Sequence, residues 1–310
     1  SDESGDIIMG KDGGTDNQGI DPAGLVNDNY IVPSADGNWT DAYANIRTVN
    51  ILLENNSIPE VESRHLVGEA HFWRSWQYFQ LLKRFGGVPI VQSVVPTNDD
   101  DLLKTPRSSR SETADFIIED LDKAISMMDS RDENRGNQWI NKDVALAFKS
   151  RVALYEGTWE KYHAGTNFGM PGSNGSSYLK QAVDAAQILI NSGRYGIWKG
   201  SDQPYTDLFI QEDLSSNREI IWWKEYNLQD QFVTRMMTIW GGYVTKDFID
   251  SYLNVDGNPI SVDNGDNPSS GTSYFWVTES DMHEDRDPRL TQTILLSSDI
   301  INDNEKQNLP

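Results

Sequence analysis

The sequence predicts a mainly α fold: a tetratricopeptide-like antiparallel helical-repeat superhelix carrying an irregular, loop-rich region that contains short strands. Three observations predict it. Between Asn38 and Asn191 apolar residues recur at steps of three and four, the spacing that keeps side chains on one helical face. Pro59, Gly86, Gly87, Pro89 and Gly157 punctuate that stretch, so successive helices are joined by short turns and pair antiparallel. Beyond Gly193 the periodicity gives way to short apolar runs among Gly, Asn, Asp and Pro. The expected organisation is a loop region over 1–37, a helical frame over 38–192 and an irregular region over 193–310, integrated in one domain.

Residues 1–37 carry Gly, Asp and Asn throughout and are expected to hold short elements at most. Asn38 is the expected cap of a first helix, Trp39 to Asn55, with Tyr43, Ile46, Asn50 and Leu53 at helical spacing. A second, longer helix should run from Glu62 to Phe85. It contains FWRSWQYF (72–79), five aromatic rings in eight residues. Phe72, Trp76, Phe79 and Leu82 form one stripe, and Leu66, Ala70, Trp73 and Gln77 lie beside it. A helix apolar over so much of its circumference is gripped from several sides, so these rings are expected to be core and not a ligand platform. Gly86 and Gly87 supply the stop, where positive φ is cheap, and Pro89 prevents resumption.

A third helix is expected from Ser111 to Met128, with Phe116, Ile117, Leu121 and Ile125 inward. Asn141 caps a fourth, Lys142 to Tyr155, with Val144, Ala147, Phe148, Arg151 and Leu154 at helical spacing and Gly157 as its end. A Gly/Ser/Asn-rich insertion, His163 to Ser177, precedes a fifth helix, Tyr178 to Asn191. EIIWWKEY (219–226) has strand character, and one further helix is expected from Thr245 to Leu253.

Composition narrows the function classes. The net charge is -22, so a phosphate backbone is repelled and nucleic acid is not an expected partner. No apolar run approaches the ~18 residues of a bilayer span. The absence of cysteine removes disulfides, thiolate metal sites and cysteine nucleophiles. His65 and His71 are six apart, on different helix faces, and read as surface or packing residues. No H-E-x-x-H, G-x-S-x-G or Walker-type loop occurs. With 48 acidic residues, carboxylate pairs carry no glycosidase signal, and Glu219 and Glu225 read as solvent-facing. Asp285, Asp287 and Arg289 read as a local ion-pair turn. The acidic loop VDNGDN (262–267) offers oxygen ligands for Ca²⁺, but EF-hand spacing fails, and no cofactor is expected.

Ten Trp and twelve Tyr leave rings to spare beyond the helical stripes. A ring in a polar loop has less core to enter, which singles out Tyr30, Trp240, Tyr243, Tyr274, Trp276, Trp159, Tyr162 and Phe168. Asn27, Asp28 and Asn29 are natural hydroxyl partners beside Tyr30; turn formation is their other reading, as a structural ring is for each aromatic.

Several stretches, in order, resemble the SusD/RagB-like outer-membrane nutrient-binding proteins of Bacteroidetes type: WTDAYANIRTVNILLEN, AHFWRSWQYFQLLKRFGGVPIV, ALAFKSRVALYEG, YLKQAVDAAQILINSGRYGIW, LFIQEDLSSNREIIWWKEYN, GGYVTKDFIDSYLNVDGNPI and DRDPRL. The resemblance implies a lipid-anchored protein on the extracellular face of the outer membrane. It captures oligosaccharide (peptide in some branches) without catalysis and hands it to a SusC-like TonB-dependent transporter. It also ranks Tyr30, Trp240 and Tyr243 first as glycan contacts, with Asn29, Asp28 and Trp276 beside them. Lipoprotein signal and lipidated Cys are lacking, and such proteins continue past DRDPRL, so a processed or partial chain, incomplete at both ends, is expected. A glycoside hydrolase and a protein-binding helical scaffold are the rival readings.

Overall fold

The computed structural model describes residues 8–9, 35–96, 104–131, 136–200, 204–211, 213–225, 243–244, 248–249, 251–259 and 285–294. Among them the protein is mainly helical, and the chain divides into two compact units. One comprises Pro33–Trp198 with Asp213–Glu225; the other comprises Ser1–Val32, Lys199–Glu212 and Tyr226–Pro310.

The first unit is an array of five helices: α1 (Gly37–Asn55), α2 (Glu60–Phe85), α3 (Arg110–Met127), α4 (Lys142–Tyr162) and α5 (Ser176–Asn191). Each packs on the next, α1 on α2 through α4 on α5, the nearest-neighbour pattern of a helical-repeat stack. The caps explain where the helices begin. Asp36, not Asn38, caps α1, its side chain accepting from the Asn38 amide at 2.8 Å. Ser109 and Glu112 satisfy each other's amides in a capping box at the start of α3. Asn141 caps α4 as expected, accepting from Asp143 and Val144.

The ring-rich stretch of α2 is mostly interior. Phe72 is 1% exposed and Phe79 4%. Trp76 is half-buried, stacked on Phe148 of α4 at 4.9 Å, while Phe79 meets the edges of Phe148 and Tyr155. On the other side Tyr78 packs edge-on against Phe116 of α3 at 5.0 Å. Full burial of such a ring contributes about 1.5–3 kcal/mol, so this helix supplies a large part of the frame's cohesion. Leu66, expected beside the stripe, is exposed.

Gly86 takes φ 71 and caps α2. A Cβ on Gly87 would stand 2.1 Å from the Ser108 carbonyl, so the turn admits only glycine there. The extended segment that follows is held by side chains from α1 and α2. Asn50 donates to the carbonyls of Val91 and Ser93, Tyr43 to that of Pro89, and the Tyr78 hydroxyl accepts from the Val91 amide.

Three expectations are corrected. Helix α4 does not stop at Gly157 but continues to Tyr162. Gly157 is there for close packing: its Cβ would lie 2.8 Å from Leu179 Cγ, and a Cβ on Gly175 (φ 72) would lie 1.9 Å from the Gly157 carbonyl. Arg151 and Leu154 are exposed; Val152, Ala153 and Glu156 face inward instead. Residues 219–225 form no strand, because Trp223 is pinned by its backbone amide and indole to the carbonyl and side-chain oxygens of Asn137.

In the second unit β1 (Ile8–Met9) pairs antiparallel with β2 (Tyr243–Val244). Two short helices, α6 (Pro204–Ile210) and α7 (Arg289–Thr293), are tied by the Gln292 side chain, which accepts from the amides of Tyr205 and Thr206. Of the helix expected over 245–253, Phe248 and Ile249 are helical and Ser251 and Tyr252 form a turn; 245–247 and Asp250 lie outside the described residues.

Candidate ligand-binding site

The second unit builds its hollow from three sequence-distant pieces. Asp285 adopts φ 56, and its carbonyl accepts from Val255, while the Asp287 amide donates to Leu253, so the DRDPRL turn lies along residues 253–255. The Arg286 guanidinium reaches under that turn and donates to the carbonyls of Ile249 and Tyr252 at 2.7 and 3.0 Å. Asp287 accepts from the Arg289 amide at 2.9 Å and from its Nε at 3.0 Å, and Nη2 closes the fork. The ion-pair turn expected from the sequence is thus an Asp287–Arg289 pair, with Asp285 contributing backbone geometry.

Around this fork lies a hollow of about 360 Å³, faced by Tyr205, Phe248, Ser251, Tyr252, Asp287 and Arg289. Tyr252 stands edge-on to Phe248 at 5.5 Å and donates its hydroxyl to Thr293 at 3.0 Å. The hydrogen bonds from Arg289 hold the Asp287 carboxyl below the usual range, and Asp287 pushes the guanidinium up, so both stay charged and cancel. Apolar rings beside a polar fork suit a ligand with C–H faces and hydroxyls.

Two other surfaces compete with the hollow. A cleft of about 340 Å³ runs beside α1, faced by Trp39, Tyr43, Arg47, Val91 and Ser93. Its polar groups are engaged in the clamp: Tyr43 donates to Pro89 and Arg47 to the Val95 carbonyl. The insertion after α4 is the other. There Arg110 lies over the Trp159 ring at 4.0 Å, His163 stacks on it at 4.0 Å, and its indole donates to the Phe168 carbonyl. Trp159 is therefore engaged within the fold, whereas Tyr162 and Phe168 are 74% and 70% exposed.

Of the residues ranked from sequence, Asp28, Asn29, Tyr30, Trp240 and Trp276 lie outside the described residues, as do Tyr274 and the acidic loop 262–267. Tyr243 sits in β2 with its backbone opposite Met9, its side chain outside the description. Tyr205, Phe248 and Tyr252 were not singled out. Each reads locally as an ordinary helical or turn aromatic, and only the long-range approach of 205, 248–252 and 287–289 makes a surface of them. Among the described residues no group of three His, Asp or Glu is placed to hold a metal, and no helix is long and apolar enough to cross a membrane.

A SusD-like family described as starch-binding and associating with the outer membrane matches residues 20–154. SusD-like protein P38 of Formosa agariphila is 30% identical over 201 residues, 63% of this chain and 34% of that protein. The crystal structure of a SusD-like protein of Bacteroides fragilis aligns with a TM-score of 0.60 at 26% identity, covering 82% of this chain and 48% of that one. Over these stretches the chain is similar to SusD-like proteins. A second B. fragilis structure, of a SusD-like carbohydrate-binding protein, shares the fold at 21% identity and a TM-score of 0.66 over 94% of this chain and 52% of that one. The chain spans about a third of the length of P38 and about half of each solved structure.

Proposed function

We propose that this chain captures oligosaccharide at the outer surface of the outer membrane and delivers it, uncleaved, to a TonB-dependent transporter. The observation that carries the proposal is the hollow in which Tyr205, Phe248 and Tyr252 flank the Asp287–Arg289 fork. Ring faces take sugar C–H groups, and the fork takes hydroxyls. The carbohydrate-binding B. fragilis neighbour and the family description support the same ligand class. A lipid anchor and a transporter belong to this proposal as family properties.

The carboxylates of the hollow support a non-catalytic reading. A glycosidase needs one carboxyl with its pKa raised to serve as general acid. Asp287 is held low by Arg289. Among the described residues the carboxyl that burial does push up, Glu156, is sealed inside the first unit against Arg110.

Affinity electrophoresis against a panel of soluble polysaccharides, with reducing-sugar release assayed in parallel, tests the reading. Retardation without sugar release is expected. Release of sugar would make the chain a hydrolase, and binding confined to peptides would make it a peptide carrier.

A further inference from the structure

Resting on the glycan-capture reading, we infer that the hollow takes an uncharged saccharide and rejects polymers that carry uronate or sulfate groups. Among the described residues the cation facing the hollow is already matched. Arg289 directs Nε and Nη2 at the two carboxylate oxygens of Asp287. The neighbouring guanidinium, Arg286, reaches backward to the carbonyls of Ile249 and Tyr252. Among the described residues of this unit Asp207, Asp256, Asp285 and Asp287 stand against Lys199, Arg286 and Arg289, within a chain of net charge -22.

An anionic sugar therefore meets two unfavourable choices. It displaces Asp287 from the fork and leaves that half-buried carboxylate without its counter-ion, or it binds beside the fork, where no second cation faces the hollow among the described residues. A neutral hydroxyl meets neither. It donates to a remaining lone pair of Asp287 while its oxygen accepts from Arg289, whose Nη1 makes no hydrogen bond among the described residues. The ring faces of Tyr252 and Phe248 then take the C–H groups.

The test compares retardation by neutral polymers (starch, β-glucan, mannan, xyloglucan) with that by alginate, polygalacturonate and carrageenan, at low and high salt. Retardation confined to the neutral arm and indifferent to salt is the expected result. Binding to the anionic arm that weakens with salt overturns the inference and leaves glycan capture standing. Retardation by neither arm overturns both. Asp287→Asn keeps the oxygen that accepts the Arg289 amide but removes the counter-charge. It should let polygalacturonate bind at low salt at least about tenfold more tightly than the unaltered chain does. Unchanged selectivity in that variant would remove the fork from the explanation.

Discussion

Arg74 of α2 and Asp120 of α3 face each other inside the helical frame, Nε to Oδ2 at 2.7 Å and Nη2 to Oδ1 at 2.9 Å, with Asp120 wholly buried. His71 adds a contact to Asp120 at 2.9 Å, and Arg74 also donates to Asn50 of α1 at 2.8 Å. One polar knot thus joins three consecutive helices.

Breaking half of that knot leaves a buried charge without its partner. Asp120→Ala should cost about 3–5 kcal/mol of unfolding free energy. The double variant Arg74→Met, Asp120→Leu should lose less than Asp120→Ala alone, because it buries no orphan charge. Urea denaturation followed by circular dichroism measures both.

The same residue sets an acid limb. Burial pushes the Asp120 carboxyl up, but hydrogen bonds from Arg74 and His71 outweigh it and leave it below the ordinary 3.8. As pH falls the unfolded chain takes its proton first, so stability present above 3.8 is lost as pH falls through the depressed folded value. Glu156 runs the other way. Burial, with Glu160 and Asp115 nearby, raises it above 4.5 against the pull of Arg110, so its share of stability declines as pH rises from 4.5 through the raised value. Asp120→Asn should flatten the first slope and Glu156→Gln the second, read from denaturation midpoints across acidic pH.

The contact between Gly157 and Gly175 sets how closely α4 and α5 approach. Gly175→Ala combines positive φ with a Cβ 1.9 Å from the Gly157 carbonyl, and should destabilise by about 3 kcal/mol or more. Gly136→Ala, at φ 67 in open space, should cost only about 1–2 kcal/mol. Thermal unfolding of the two variants separates strain from collision.

What was legible in the sequence was whatever periodicity records. The five helices of the frame, the Asn141 cap and the Gly86 stop are all local, and Phe72 and Phe79 lie on the stripe that their spacing marks. Gly157 misled because glycine is read first as a helix end, and the sequence does not show that Gly175 comes against it. The buried charges of Arg74, Asp120, Arg110 and Glu156 were invisible for a related reason: a charge on a helix reads as solvated until its partner 46 residues away is placed beside it. The hollow was hidden in the same way, since Tyr205, Tyr252 and Arg289 share no local pattern.

The exposed rings of the insertion give a control. Phe168→Ala and Tyr162→Ala should leave glycan retardation within about twofold of the unaltered chain, because the hollow is lined by other residues.

The central claim is that the rings of α2 hold the frame while recognition belongs to the hollow beside Asp287 and Arg289. Its most direct test is the affinity of Tyr252→Ala for whichever polysaccharide retards the unaltered chain, with the melting temperature measured on the same sample. A loss of about tenfold, or 1.4 kcal/mol, with an unchanged melting temperature is predicted. Undiminished binding by that variant, or a bound saccharide lying against Trp76 or Phe79, would contradict the account.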